Sequence, residues 1–454
     1  MKLTLVATCM FGLEKLLGEE IDALGLRRIE TIDGRVTFEG EEADIPRANI
    51  HLRCAERVFV HLGAFPCTSF TDLFEGTKAL PWEEWISHMD AFPVKGHSIK
   101  SALTSIPDCQ SIVKKAVVER LHQKYGIAWF DETGVKYQIE FFIFKDVANL
   151  MIDTSGVALH KRGYRTEAGA APLRETLAAA VALTARPRED VLFWDPFCGS
   201  GTIAIEAAQI VTCRAPGLGR SFAAEKFPRI PLAMWQETRE AAEAMIKHDS
   251  QFEVYASDVD EDVLDIAYEN ALRAGVEQHL NIFASDARHI KRLDRKGTIV
   301  CNPPYGERMG ERDEVERLYQ QLGGTFGKLY PWQIYVLTSH DRFDRLYGRR
   351  ADKVKKLYNG MIPCYLYGFF KPYEAGTPSA KPSHSNNHGH AGDRRPYRQD
   401  QHGQNGQHGQ HGQHGQHGQH GQRGQHGPYN QHGQQARRQD APKKPFGKGN
   451  RHEK

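Results

Sequence analysis

Residues 191–202 read Val-Leu-Phe-Trp-Asp-Pro-Phe-Cys-Gly-Ser-Gly-Thr. The apolar start of this stretch predicts a short buried strand that ends at Asp195. Gly199 and Gly201 let the backbone turn tightly and approach a ligand closely. The apolar run at 202–211 predicts a helix, whose first N–H groups have no partner inside the helix. A strand, a glycine turn and a helix in this order predict a ligand-binding α/β unit.

The glycine loop is compatible with two kinds of ligand. Gly199, Gly201 and Ala204 fit the G-x-G-x-x-A fingerprint of dinucleotide binding. However, Asp195 would repel a pyrophosphate, and no strand ends in an acidic residue about 20 residues later, as that fingerprint requires. A carboxylate before the loop suits a ligand that carries an ammonium and a sulfonium group. S-adenosylmethionine (SAM) is therefore favoured over a nucleotide, and a purely structural turn is the third alternative.

Strands and helices alternate on both sides of the loop. An Ala-rich helix is predicted at 173–186, and further strands at 254–258, 280–286, 298–305 and 333–339. Repeating strand–helix pairs imply a doubly wound, mostly parallel sheet that binds ligands at the carboxyl ends of its strands. The run YLYGFFKP at 365–372 predicts a final antiparallel edge strand.

Acidic residues end two of these strands. Asp258 can accept hydrogen bonds from both hydroxyls of a ribose. Asp260, two residues later, fits better as the N-cap of the next helix. Asp286 can accept a hydrogen bond from an adenine amine, although an ordinary loop aspartate explains it nearly as well.

The fourth strand ends in Asn302-Pro303-Pro304-Tyr305. The two prolines fix the backbone. The Pro303 carbonyl and the Asn302 side-chain oxygen can then accept from one exocyclic amine and orient its lone pair toward a methyl donor. Tyr305 offers a flat face to a base that has left its stack. A chance turn is the alternative, but the position beyond a glycine loop and two acidic strand ends favours a methyl-transfer site.

The N-terminal half is of the α+β class. A strand, a helix and two strands are predicted before residue 40, and a strand is predicted at 98–105. A helix with a regular apolar face follows at 109–125, and a strand hairpin at 137–156. No catalytic cluster is evident in this half.

The composition excludes several classes of protein. Eight cysteines occur without a C-x-x-C spacing, which argues against a zinc site or a disulfide framework and favours a reducing, cytoplasmic compartment. Cys198 and Cys301 flank the predicted site without a partnered base, so we interpret them as packing residues. No run of about 18 apolar residues exists, and no membrane span is expected.

The last 80 residues differ from the rest of the chain. Residues 375–454 repeat Gln-His-Gly and hold twelve of the 22 histidines. Such a segment cannot bury enough apolar surface to offset its ordering entropy, so we predict a disordered tail. Its excess of Lys and Arg can add affinity for a polyanion. A tail that only improves solubility is the alternative.

Taken together, residues 1–374 resemble the THUMP-domain class I SAM-dependent RNA methyltransferases. They look most like the bacterial branch that makes N2-methylguanosine in large-subunit (23S) rRNA. The linker at 158–165, the helix start at 172–176 and the Asn-Gly-Met-Ile run at 359–362 add to the motifs above. The resemblance implies a ferredoxin-like segment at 1–42, a THUMP domain at 43–155, a Rossmann-like methyltransferase domain at 165–374 and the disordered tail at 375–454.

The resemblance also assigns roles to single residues. The implied SAM site consists of Asp195, Gly199, Gly201 and Thr202, with Asp258 at the ribose and Asp286 at the adenine. The implied target-base site consists of Asn302, Pro303 and Tyr305. The THUMP domain would bind structured RNA by its shape and backbone. Four lysines are candidates for RNA contact, although each is explained as well by an ordinary solvated surface: Lys95, Lys100, Lys114 and Lys115. The linker residues Arg162 and Arg165 are the better candidates.

The expected chemistry is direct in-line transfer from sulfonium to nitrogen, which requires no metal and no covalent nucleophile. Some relatives carry a second methyltransferase domain, and here the tail stands in that place, so one modification is expected. The same site would serve guanine N2 in tRNA, or adenine N6 in DNA or RNA. A non-catalytic RNA-binding assembly factor is the alternative outside enzymes.

Overall fold

The structure, a computed structural model, describes residues 2–165, 173–306 and 312–372. The predicted disordered tail lies outside the described residues. The described strands form two seven-stranded sheets, one in each half of the chain. This arrangement confirms an α+β N-terminal half followed by an α/β half with a mostly parallel sheet.

The first sheet has the strand order β2-β3-β1-β4-β7-β6-β5. Neighbours are antiparallel except for β5 and β6, which are parallel. The strands are β1 (Leu3–Thr8), β2 (Arg28–Ile32), β3 (Arg35–Gly40), β4 (Arg57–Pro66), β5 (Val94–Ile99), β6 (Ile139–Phe144) and β7 (Val147–Asp153). Because β4 pairs with both β1 and β7, the sheet runs without a break through the predicted ferredoxin-like and THUMP units.

Four helices accompany this sheet: α1 (Glu14–Ala23), α2 (Asp44–His51), α3 (Phe70–Lys78) and α4 (Ile106–Tyr125). The strand predicted at 98–105 was misplaced, because β5 begins at Val94 and includes Gly96. A Cβ at Gly96 would lie 2.4 Å from the carbonyl oxygen of Phe141 on β6. This glycine therefore allows close approach of two strands inside the sheet.

The second sheet has the strand order β10-β9-β8-β11-β12-β14-β13. The first five strands in that order are parallel, and β14 is antiparallel to both β12 and β13. The strands are β8 (Leu192–Asp195), β9 (Val254–Asp258), β10 (Leu280–Ala284), β11 (Gly297–Cys301), β12 (Gln333–Thr338), β13 (Lys353–Asn359) and β14 (Ile362–Phe369). The helices are α5 (Glu175–Ala185), α6 (Thr202–Val211), α7 (Leu232–Ala244), α8 (Asp262–Ala274), α9 (Arg312–Phe326) and α10 (Phe343–Tyr347).

The predicted final edge strand is β14, and it is not at the edge. It lies between β12 and β13, so β13 forms the edge of the sheet. The sequence of β13, KVKKLYN, has no continuous apolar run, which is why the hydrophobic pattern missed it. Lysines on an edge strand discourage pairing with another chain, and this strand carries three.

The strand order places a crevice at the end of β8. The chain proceeds from β8 to β9 and β10 on one side, then returns to β11 on the other side. The connections that leave β8 and β11 therefore diverge, and open sheets bind ligands at such a switch point.

A buried ionic cluster joins the two halves around Glu206 of α6. Arg162 Nε lies 3.5 Å from Glu206 Oε1, and Arg53 Nη1 lies 3.9 Å from Glu206 Oε2. The Tyr164 hydroxyl donates to Glu206 Oε1 at 3.1 Å. Rings from the two halves also stack, with the centroids of Tyr137 and Phe227 4.2 Å apart. The halves are thus connected by both charge and packing.

We expect Glu206→Gln to lower the free energy of unfolding by about 3 kcal/mol, because it leaves two buried guanidiniums without their shared carboxylate. Urea denaturation followed by tryptophan fluorescence measures the change. Glu240→Gln, on the exposed face of α7, is the matched control and should shift the free energy by less than about 0.5 kcal/mol. Equal stability of the two variants would show that the cluster contributes little.

Candidate active site

The carboxyl ends of β8, β9, β10 and β11 surround a cavity of about 760 Å³. Six of the predicted site residues line it: Asp195, Gly199, Thr202, Asp258, Asp286 and Asn302. Apolar side chains that we did not predict complete the wall, among them Phe197, Ile203, Val259, Ile266 and Leu318. A concave, largely apolar cavity with a few convergent polar groups is typical of a small-ligand site.

The glycine loop has the backbone conformation that its residues predict. Gly199 and Gly201 have φ angles of +49° and +81°, in the left-handed region that favours glycine. No atom lies within 4 Å of a Cβ built on Gly199, whereas one on Gly201 would lie 3.2 Å from Ala267 of α8. Gly199 therefore keeps space beside the cavity open, and Gly201 allows α6 and α8 to approach.

Asp195 is 1% exposed, and its carboxylate accepts a hydrogen bond of 3.2 Å from the backbone N–H of Phe197. Burial, opposed by that hydrogen bond and reinforced by the charge of Asp258, raises the pKa of Asp195 to about 8. A buried carboxyl of this kind gains its charge when a cation lies beside it. Asp195 is therefore suited to a cationic ligand.

Asp258 connects β9 to the glycine loop. Its Oδ2 accepts from the backbone N–H of Gly199 at 2.9 Å, and its Oδ1 accepts from Asp260 N–H at 3.2 Å. Asp260 is not the N-cap of α8, because that position is Glu261, one residue later than predicted. Asp260 Oδ1 nevertheless accepts from Asp262 N–H at 3.1 Å, so it satisfies a free donor at the start of the helix.

Asp286 follows β10 and is paired with a residue that the sequence analysis missed. The Arg288 guanidinium Nε donates to Asp286 Oδ1 and Oδ2 at 2.9 and 2.8 Å, and the Arg288 N–H adds a bond of 2.8 Å. Hydrogen bonding to Arg288 lowers the pKa of Asp286. Arg288 also lines the cavity, so it shapes the region where we placed the adenine.

The Asn-Pro-Pro-Tyr turn is fixed by hydrogen bonds. The Tyr305 hydroxyl donates to Asn302 Oδ1, and the Pro304 carbonyl accepts from the Tyr319 hydroxyl at 2.7 Å. Pro304, rather than the predicted Pro303, lines the cavity beside Asn302. The turn is thus held by its own tyrosine and by a residue of α9.

Tyr319 is fully buried, and its hydroxyl also lies 2.9 Å from Thr338 Oγ1 at the end of β12. Burial raises the pKa of Tyr319. Its role does not show in the sequence pattern because it occupies the apolar face of α9 together with Val315, Leu322 and Phe326. The signal that could have identified Tyr319 is a hydroxyl on an otherwise apolar helix face, because buried tyrosines usually have a polar partner.

The predicted RNA contacts of Arg162 and Arg165 are corrected by their burial. The Arg162 side chain is 3% exposed and donates to the carbonyl of Leu159 at 2.6 Å. The Arg165 side chain is 9% exposed, lies 3.2 Å from Glu175 and donates to Thr202 Oγ1 at 3.2 Å. The linker therefore supports the glycine loop, and both arginine side chains are buried against protein groups instead of lying at the surface.

Cys198 and Cys301 are buried, and burial raises the pKa of both thiols, as expected for packing residues. Among residues 2–165, 173–306 and 312–372, no three His, Cys, Asp or Glu side chains are grouped to hold a metal. No helix in the same ranges is both long and apolar enough to cross a bilayer.

Three family models match the chain in order. An RlmL ferredoxin-like domain matches residues 4–59, a THUMP domain matches 67–153 and an RMKL-like methyltransferase domain matches 162–367. YpsC of Bacillus subtilis (strain 168), named as a candidate RNA methyltransferase, is 43% identical over 371 residues, covering 81% of this chain and 96% of YpsC. The chain belongs to the RMKL-like methyltransferase family. The predicted domain boundary near residue 42 stays a prediction.

Other relatives of this RMKL-like methyltransferase carry rRNA names. Ribosomal RNA large subunit methyltransferase K/L of Psychromonas ingrahamii (strain DSM 17664 / CCUG 51855 / 37) is 32% identical over 373 residues, covering 79% of this chain and 49% of the relative. The chain spans about half the length of the K/L relatives.

Two solved structures are also similar to the RMKL-like methyltransferase described here. A possible methylase from Clostridium difficile 630 is 44% identical with a TM-score of 0.80, covering 82% of this chain and 99% of its own. SMU.472, a candidate methyltransferase solved with S-adenosylhomocysteine (SAH), is 38% identical with a TM-score of 0.77 and the same coverage.

Proposed function

We propose that this chain methylates N2 of a guanine in large-subunit (23S) rRNA, with SAM as the methyl donor. The observation that carries the proposal is that a buried carboxyl, Asp195, and an amine acceptor, Asn302, line one cavity. The methyltransferase match, the SAH bound to SMU.472 and the rRNA names of the K/L relatives support it.

The cavity suits SAM in size and chemistry. Its volume lies within the range of about 300–1,000 Å³ that is common for small-ligand sites. Asp195 would neutralise the ammonium or sulfonium, and Asp258 would accept from the ribose hydroxyls. Asp286, already oriented by Arg288, would accept from the adenine amine. SAM supplies a methyl group that its sulfonium already activates, so the chain mainly has to position the reactants and exclude water.

The target amine would donate to Asn302 Oδ1, which has two lone pairs and already accepts from the Tyr305 hydroxyl. Tyr305 would hold this acceptor in place and offer its ring to the base. Pro303 and Pro304 fix the backbone of the turn, and the Tyr319 hydroxyl holds the Pro304 carbonyl. This arrangement serves any planar exocyclic amine, so the choice of guanine N2 rests on the family resemblance and on the relatives.

A second, larger cavity of about 1180 Å³ offers a path for RNA between the THUMP half and residues 221–226. Four exposed basic side chains line it: Lys95, His97, Lys136 and Lys226. Such a groove suits the phosphate backbone. Lys114, another earlier candidate, is instead bonded to Glu132 and to the Phe92 carbonyl. Of the four candidate lysines, Lys95 is the one that lines this groove, and it is the one that we propose.

The decisive experiment is nucleoside mass spectrometry of separated rRNA and tRNA from cells with the gene, without it and with it restored. Loss of N2-methylguanosine from large-subunit rRNA, reversed by the restored gene, is the expected result. Loss of N2-methylguanosine from tRNA alone would identify tRNA, and not rRNA, as the substrate. Loss of N6-methyladenosine would change the target base, and no change in any methylated nucleoside would overturn the enzymatic proposal.

The raised pKa of Asp195 predicts that SAM binding weakens as the pH falls. Below a pH of about 8 the carboxyl of the free protein holds a proton. Binding a cation beside it releases that proton, so affinity should fall by up to about tenfold for each pH unit below that value. Calorimetric titration between pH 6.5 and 8.5 measures this dependence. Asp195→Asn should bind weakly with a flat profile, and a flat profile in the wild type would contradict the prediction.

Tyr319→Phe should reduce kcat about tenfold and leave the Kd of SAM unchanged, because removing the hydroxyl frees the Pro304 carbonyl and loosens the turn. Single-turnover methylation and calorimetry separate these two quantities. Tyr268→Phe, at an exposed position of α8, is the control. An unchanged kcat would show that Tyr319 does not position the turn.

A further inference from the structure

An exposed phenylalanine and a half-buried tyrosine are in ring contact at the junction of the two halves. Phe11 lies in the loop between β1 and α1, and Tyr358 lies near the end of β13. Their ring centroids are 6.0 Å apart with an interplanar angle of 71°, and Phe11 is 54% exposed. Met361, at the tip of the β13–β14 hairpin, is 94% exposed. We call Phe11 and Tyr358 the aromatic platform.

The strand register places the platform on the same edge of the sheet as Asn302. Thr338, the last residue of β12, pairs with Tyr365 of the antiparallel strand β14. The first residue of β14, Ile362, pairs with Asn359 of β13. The hairpin tip therefore extends about 10 Å past the end of β12, in the direction that β11 takes toward Asn302.

The lateral distance is also limited. Three strand spacings separate β11 from β13, with β12 and β14 between them. These spacings amount to about 14 Å. A nucleic-acid strand whose target base enters the cavity therefore has neighbouring nucleotides within reach of the platform.

The loop that carries Phe11 is held in place by packing and hydrogen bonds. A Cβ on Gly12 would lie 2.7 Å from the carbonyl oxygen of Lys356, so the loop that carries Phe11 packs directly on β13. The Glu14 carboxylate accepts from the backbone N–H groups of Gly12 and Gly34, both at 2.9 Å. A surface fixed in this way loses little conformational entropy when a ligand binds.

One basic side chain borders the platform. Lys356 Nζ lies 5.3 Å from the ring centroid of Tyr358. Aromatic faces beside lysines are the usual means of binding unpaired nucleotides, because the base stacks and the phosphate meets the charge.

We propose that the aromatic platform stacks an unpaired base of the substrate RNA a few nucleotides away from the target base, with Lys356 at the adjoining phosphate. The platform holds the flanking RNA while the target base is outside its stack, which reduces the cost of base flipping. This inference rests on the proposed function for the identity of its ligand.

The test uses full-length Phe11→Ala and Lys356→Ala, with deproteinised 23S rRNA from cells that lack the gene. We expect the KM for RNA to rise about tenfold in Phe11→Ala and Phe11→Trp to stay near the wild type, since stacking tolerates any aromatic ring. The Kd of SAM and the thermal midpoint should not change. Leu232→Ala, an exposed apolar position at the start of α7, is the control.

An unchanged KM in Phe11→Ala, with a wild type that methylates this RNA, overturns the platform and leaves the proposed function intact. A wild type that methylates no RNA overturns the proposed function. In that case the RNA Kd of Phe11→Ala and of the wild type still decides the platform: a weaker Kd supports it, and an equal Kd overturns it. If Phe11→Ala lost binding to a protein partner while its Kd for RNA stayed unchanged, that result would also overturn the platform.

Discussion

Asn302→Ala is expected to lower kcat for 23S rRNA by about 100- to 1,000-fold, while the Kd values for SAM and RNA stay close to those of the wild type. The substitution removes the acceptor that orients the amine lone pair, and losing one positioned polar group at a reacting centre has effects of this size. It also leaves the Tyr305 hydroxyl without Asn302 Oδ1. Single-turnover transfer of a radiolabelled methyl group measures the rate, and filter binding measures the affinity for RNA.

Asn281→Ala is the matched control, because Asn281 is an exposed β10 residue bonded to Glu253 away from the cavity. It should methylate at the rate of the wild type. Asn302→Ala distinguishes the enzymatic proposal from a non-catalytic assembly factor. If it restored both ribosome assembly and N2-methylguanosine in cells lacking the gene, Asn302 could not be the amine acceptor.

Asp258→Ala is expected to weaken SAM binding by about 100-fold. The proposed ribose contacts are hydrogen bonds to a charged acceptor, and losing them costs about 3 kcal/mol. The substitution also releases the Gly199 N–H, which shapes the glycine loop. Calorimetry with SAM and SAH measures the change.

Asp265→Ala, an exposed carboxylate on α8, changes the net charge equally and should bind SAM normally. A similar loss in both variants would indicate a general effect of charge. If Asp258→Ala bound SAM as tightly as the wild type, the ribose would have to bind elsewhere in the cavity.

The second half of the fold follows closely from the sequence because its elements are buried apolar runs. The observed bounds of β9 and α6 are those predicted, since each element is bounded by a sharp change from apolar to polar or glycine residues. Elements without such a run were missed or shifted. The edge strand β13 is rich in lysine, and β5 is preceded by Pro93 and contains Gly96.

The site was predicted where a motif is contiguous in sequence and missed where it is assembled by folding. The positions of Asp195, Gly199, Asp258 and Asn302 follow from strand ends. Tyr319 depends on the packing of α9 against the turn. Arg162 was misjudged because its burial depends on Glu206, which is 44 residues away in sequence.

The unbroken first sheet, joined to the second half by the Glu206 cluster, has a geometric consequence. One compact unit of the fold contains both the groove lined by Lys95 and Lys226 and the cavity at the carboxyl end of β8. An RNA bound in the groove would place in the cavity only a nucleotide that lies at the distance between the groove and the cavity. The protein would then select its target nucleotide by the length and shape of the bound RNA segment. The bases between the groove and the cavity would contribute little to that selection.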